Sequence, residues 1–155
     1  MGLYASWTQG NALTVESPEN LTRVGHFGWG ADMLIAPGKK SWFHISLPTP
    51  VLVNSVQSTL VRAFLLFEAT SGSIRNVHIY HGGRIAQEFN NLLLTGSHHG
   101  GVDATNTFTL AAPPRAALGI GISFLFQADA FTGGPVGGMV PPRLIVTSAG
   151  GDFTV

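Results

Sequence analysis

The sequence predicts an all-β fold: a single-domain antiparallel β-sandwich over residues 1–155, jelly-roll-like, with at most one or two short helical turns. Three observations predict it. Twenty glycines and nine prolines punctuate 155 residues, and no long amphipathic helix pattern survives between them. The segments they leave are short and rich in β-branched and aromatic residues. Several of those segments alternate with the two-residue period of a strand.

In order, the candidate strands are LYASW (3–7), ALTVE (12–16), ADMLIA (31–36) and SWFHISL (41–47). A long apolar run follows from residue 51 to 69, then IRNVHIYH (74–81), RIAQEF (84–89), TNTFTLA (105–111), ALGIGISFLFQA (117–128) and PRLIVTS (142–148). Turn signals separate them: PGKK (37–40), TSGS (70–73), HGG (81–83) and TGSHHGG (95–101). SPENLTRVG (17–25), with Ser17 as a candidate N-cap and Pro18 at the first position, and VNSVQSTLV (53–61) read as short helical turns. AFTGGPVGGMVPP (130–142) reads as a loop.

Composition narrows the partners. Only 10% of residues are charged, against roughly 25% in an average soluble protein. Eight acidic and eight basic residues cancel. A chain without basic excess is not built for nucleic acid. Few charges and no net charge leave little repulsion between copies. There is no cysteine, so disulfide and thiol chemistry are excluded. No run of about 18 apolar residues offers a membrane span. The start, MGLYASWTQG, lacks the pattern of a secretory signal, so a cytoplasmic location is the default expectation beside export by another route.

The run TLVRAFLLFEA (59–69) is apolar on both strand faces. One face reads Leu60, Arg62, Phe64, Leu66 and Glu68, the other Thr59, Val61, Ala63, Leu65 and Phe67. A half-wet strand alternates apolar with polar positions. Glycines opposite the apolar face of ALGIGISFLFQ suggest another packed surface. These features predict self-association through Val61, Leu65, Phe67 and Leu125, as a homo-oligomer or open assembly. The leading expectation is therefore a non-catalytic structural or scaffold protein of a shell or fibre.

A lectin-like carbohydrate-binding module is the alternative. Trp7, Trp29 and Trp42, with Tyr4 and Tyr80, supply rings on which a sugar could stack. GHFGWGADM (25–33) concentrates aromatic, histidine and acidic groups among glycines, which gives Trp29, Trp42, His26 and Asp32 as the candidate sugar site. A histidine-based metal protein is a second alternative, with His98 and His99 as its candidates. Adjacent residues on an extended chain point apart, and no ligand motif surrounds them, so no metal and no cofactor is assigned. The carboxylates are scattered, the serines occupy no G-x-S-x-G elbow, and GIGIS lacks the phosphate-loop pattern; no catalytic residue is assigned.

The order of the segments NALTVESPENL, GHFGWGADM, WFHISLPTPVLVN, IRNVHIYHGG, GIGISFLF and RLIVTSAGGDF resembles an uncharacterised family of small bacterial all-β proteins of unknown function. The resemblance spans about residues 4 to 153. It implies one compact domain and carries over no catalytic residue.

Overall fold

The computed structural model describes residues 2–131 and 140–155, so most of the glycine-rich interval read as a loop lies outside the described residues. The strands are β1 (Leu3–Gln9), β2 (Thr14–Val15), β3 (Leu21–Phe27), β4 (Gly30–Ile35), β5 (Lys40–Leu47), β6 (Leu52–Val53) and β7 (Val56–Gln57). They continue with β8 (Thr59–His81), β9 (Arg84–Phe89), β10 (Leu94–His98), β11 (Thr107–Thr109), β12 (Ile120–Ala128) and β13 (Arg143–Thr154). Helical content among the described residues is two 3-10 turns, Gly10–Ala12 and Pro18–Asn20.

The strand β8 organises everything else. Its 23 residues would reach about 75 Å if straight, far beyond a domain whose radius of gyration is about 15 Å. The strand therefore bends. Ser71 takes a left-handed φ of 51°, and Gly72 follows it with the Phe126 ring where a Cβ would stand. Residues 59–70 pair with β13, and residues 72–81 pair with β12, so one strand serves both layers of an antiparallel, jelly-roll-like sandwich. The first layer adds β1 and β4 along β13, β3 beyond β4, and β11 on the far side of β8. The second adds β5 and β2 beyond β12, and β9 on the far side of β8. The strand β10 pairs across the bend. The interior between the layers is filled by Phe43, Phe67, Phe124, Phe126, Phe153 and aliphatic side chains. The two layers meet where Leu47 of β5 closes on Gly151 of β13.

Three sequence expectations are corrected. The stretches at 17–25 and 53–61 are not helices beyond the 3-10 turn at Pro18–Asn20: the first continues as β3, and the second is the β6–β7 hairpin entering β8. TSGS is not a turn between strands but the bend within one, and TGSHHGG begins as β10.

The third correction concerns the two-faced run. Arg62 pairs with Asp152 and Leu60 with Phe153, so Val61 is an extra, bulged residue. A bulge shifts the face on which later side chains lie. Leu60, Ala63, Leu65 and Phe67 therefore share the interior, all fully buried. Leu65 and Phe67 have no surface to offer another copy, while Val61 and Leu125 are half-buried. On the opposite face Phe64 is covered within the chain, only 4% exposed beneath Trp7, while Leu66 stays half-buried.

Candidate functional site

The outer face of the first layer carries two rows of side chains set by strand register. One row runs Trp7, Gly150, Phe64 and Thr107; the next runs Ala5, Asp152, Arg62 and Thr109. Gly150 is the reason the first row has its shape. A Cβ there would stand 2.5 Å from Trp7 Cδ2, so only glycine lets the indole lie down across the strand. The indole then stacks on Phe64, with ring centroids 5.3 Å apart and planes 13° from parallel. Its body packs against the sheet, and it remains 40% exposed.

Beside this ring, Arg62 Nη2 donates to Asp152 Oδ2 at 2.7 Å. Asp152 is largely buried and the guanidinium is half-exposed, so the pair is fixed at its base and free at its rim. The loop between β10 and β11 forms the opposite wall through Val102, Asp103 and Ala104. That loop is held from inside. Asp103 Oδ1 accepts the backbone N–H groups of Thr105 and Asn106, while Oδ2 accepts Nδ1–H of His98 at 2.8 Å. The His98 contact, above all, holds the Asp103 carboxyl below the usual carboxylate range. Asn106 is fully buried and donates to the carbonyls of His98 and Gly101. The groove between ring and loop holds about 470 Å³.

The residues expected to form a sugar site do not come together. Trp29 lies on the β3–β4 hairpin of the first layer, stacked on Phe27 at 5.3 Å and half-exposed. His26 donates from Nδ1 to the Asn11 carbonyl at 2.8 Å, and Asn11 Nδ2 donates to the Phe27 carbonyl, so both clip that hairpin to the first 3-10 turn. Asp32 is 4% exposed and fully engaged: Arg143 grips both its oxygens at 2.8 and 2.7 Å, and Arg23 adds a contact at 2.9 Å. Arg143 foremost holds the Asp32 carboxyl below its ordinary range. Trp42 lies on the other layer altogether, in a cleft with Glu16, His44, His78, Tyr80 and Ser123.

His98 and His99 turn to different partners. His98 spends both ring nitrogens on Asp103 and the Thr95 carbonyl, while His99 Nε2 faces Glu68 at 3.2 Å. Among the described residues, no group of three or more His, Cys, Asp or Glu side chains is placed to hold a metal ion. No helix among them is long and apolar enough to cross a membrane.

Sequence reasoning named Trp7 as a possible platform ring but missed Arg62, Phe64 and Asp152 as its company. The signal lay in pairing register, since Gly150 and Asp152 are more than 140 residues from the ring they flank.

Comparison with known proteins places the chain more firmly by sequence than by structure. A family model described as a family of unknown function (DUF6623) matches residues 1–131. No curated protein matches the chain. Among solved structures, the carbohydrate-binding module CBM36 in complex with calcium and xylotriose aligns at 14% identity and a TM-score of 0.43, over 96% of this chain and 98% of that one. TmCBM61 in complex with beta-1,4-galactotriose aligns at 11% identity and a TM-score of 0.37, over 99% of this chain and 88% of that one. Neither alignment transfers a ligand or a residue role to this chain.

Proposed function

We propose that this chain, which belongs to that family of unknown function, is a non-catalytic carbohydrate-binding domain whose primary platform is Trp7. One observation carries the reading: an exposed indole is held flat on the sheet by Gly150 and Phe64, beside a register-fixed Arg62–Asp152 pair. A pyranose has an apolar face of C–H groups and a rim of hydroxyls. The indole covers the first, and a guanidinium–carboxylate pair supplies donors and acceptors for the second. The ring is held before any ligand arrives, which lowers the ordering cost of binding. The groove, at about 470 Å³, falls in the range of small-molecule sites. A nucleobase could stack on the same ring, but the formal charge of zero supplies no excess to hold its phosphates.

The test is a glycan array followed by calorimetry on the best ligand. Trp7→Ala is expected to weaken binding at least tenfold, about 1.4 kcal/mol, while circular dichroism stays unchanged. An array without a hit, or a hit indifferent to Trp7→Ala, removes the reading.

A further inference from the structure

We propose that the outer face of the second layer holds a second, independent carbohydrate site built around Trp42, so that the domain binds one ligand on each layer. The inference takes its ligand class from the proposal for Trp7; its site stands on separate residues.

Register again assembles the site. Across the second layer run the rows Trp42, Leu125, Asn76; His44, Ser123, His78, Glu88; and Ser46, Gly121, Tyr80, Ile85. Glu16 joins beside Trp42, its backbone N–H donating to the Trp42 carbonyl at 3.0 Å. Trp42 and His78 stand ring to ring at 4.9 Å, tilted by 48°. The cleft they bound with Tyr80 and Ser123 holds about 270 Å³. At roughly 30 Å³ per water, that is room for about nine waters, the scale of one sugar ring.

The polar groups of this cleft are already oriented by bonds behind them. Glu16 is an acceptor only, so the contact of His44 Nε2 with Glu16 Oε1 at 3.2 Å places the imidazole proton on Nε2. With the imidazole neutral, Nδ1 is the acceptor, and Ser123 donates its hydroxyl proton to it at 2.7 Å. This leaves Ser123 Oγ with lone pairs unspent and Glu16 with its second oxygen. On the other side, Asn90 Oδ1 accepts from Asn76 Nδ2 at 2.8 Å and from His78 Nε2 at 2.9 Å. In its neutral form His78 keeps Nδ1 as an acceptor. The result is a cleft rich in acceptors beside a tryptophan and a tyrosine. A neutral sugar, dense in hydroxyl donors with one apolar face, complements it.

Gly121 supplies the selective test. A Cβ there meets nothing nearer than the Ile45 carbonyl at 3.8 Å, so the sheet surface beside Ser123 and Tyr80 is open. The Cβ of Gly121→Val therefore enters space beside the cleft without a backbone clash, in a strand where valine is favoured, and its two methyl groups extend over that surface.

The experiment is a nuclear magnetic resonance titration of the three indole N–H signals with neutral β-linked hexasaccharides of glucose, xylose, mannose and galactose. Substitution at each tryptophan assigns the signals. At least one sugar is expected to shift the Trp42 signal in the wild type and in Trp7→Ala alike. Gly121→Val is expected to weaken that response at least tenfold while leaving the Trp7 response intact, and Trp42→Ala gives the same retention at Trp7. A Trp42 shift without a Trp7 shift supports this second site and overturns the Trp7 reading. A Trp7 shift without a Trp42 shift overturns the second site alone, as does a Trp42 shift that Gly121→Val leaves unchanged. Silence at both rings overturns both.

Discussion

Asp32 shows how one residue can look functional in sequence and prove architectural in the fold. It sits among aromatics and glycines in GHFGWGADM, yet its bidentate partner Arg143 lies 111 residues away and was invisible to local reading. The carboxylate stitches β4 to β13 through Arg143 and to β3 through Arg23. Replacing Asp32 with Asn is expected to cost about 2 kcal/mol in urea unfolding, since hydrogen bonds to charged groups contribute roughly 1.5–3 kcal/mol each and both arginines are partly solvated. The pH dependence comes from its depressed folded-state pKa. Such a group contributes stability above its unfolded value, about 3.9, and loses it as pH falls through the lower folded value. The gap between wild type and Asp32→Asn should be constant near neutrality and shrink only below about pH 4. A gap that closes between pH 5 and 7 would contradict the assignment.

Among the elements, β1 and β13 decide the primary platform together. The strand LYASW was legible at 3–7 from its composition, and it extends to Gln9 in the fold. What β1 lies against was not legible, because antiparallel pairing of chain ends leaves no local trace. Gly150 joins the two: its missing side chain is where the indole rests. Gly150→Ala is expected to lift the ring, since the new Cβ would also stand 2.9 Å from the Ser6 carbonyl oxygen, which belongs to the backbone and yields little. We expect a loss of about 1–3 kcal/mol in stability, as for other overpacked sites, together with blue- or red-shifted Trp7 fluorescence and weaker glycan binding. Unaltered stability and fluorescence would mean that the indole does not rest there. The bulge at Val61 acts at the same scale. One extra residue placed Leu60 on the interior face, whereas strict alternation grouped it with Arg62 and Phe64.

For the whole molecule, the arrangement of strands sets both stability and the placement of the two faces. The strands β8 and β12 are bonded on both edges over much of their length, whereas β1, β2 and β3 lie at edges. Native-state hydrogen exchange should therefore find its slowest amides in β12 and in β8 where it is flanked on both sides, with β1, β3 and the β6–β7 hairpin exchanging by smaller openings. Uniform protection across edge and centre would refute that ordering. Most of the apolar surplus in TLVRAFLLFEA, which suggested contact between copies, is sheltered within the chain: Leu60, Ala63, Leu65 and Phe67 face the interior and Phe64 lies beneath Trp7, while Val61 and Leu66 stay half-buried.

By itself the amino-acid sequence determined the class of fold, most of the strands, the turn at HGG and the inward face of ALGIGISFLFQ, where Ile120, Ile122, Phe124 and Phe126 are all buried. These are local properties: glycine and proline limit segment length, and alternation within a segment assigns its faces. Tertiary structure alone decided which tryptophan meets which polar group. Trp29 and Trp42, grouped as one site on composition, stand on different layers, while Trp7 and Gly150 are neighbours. The physical reason is that strand pairing brings distant residues into one row, and a single bulge exchanges the faces of every residue beyond it in the strand.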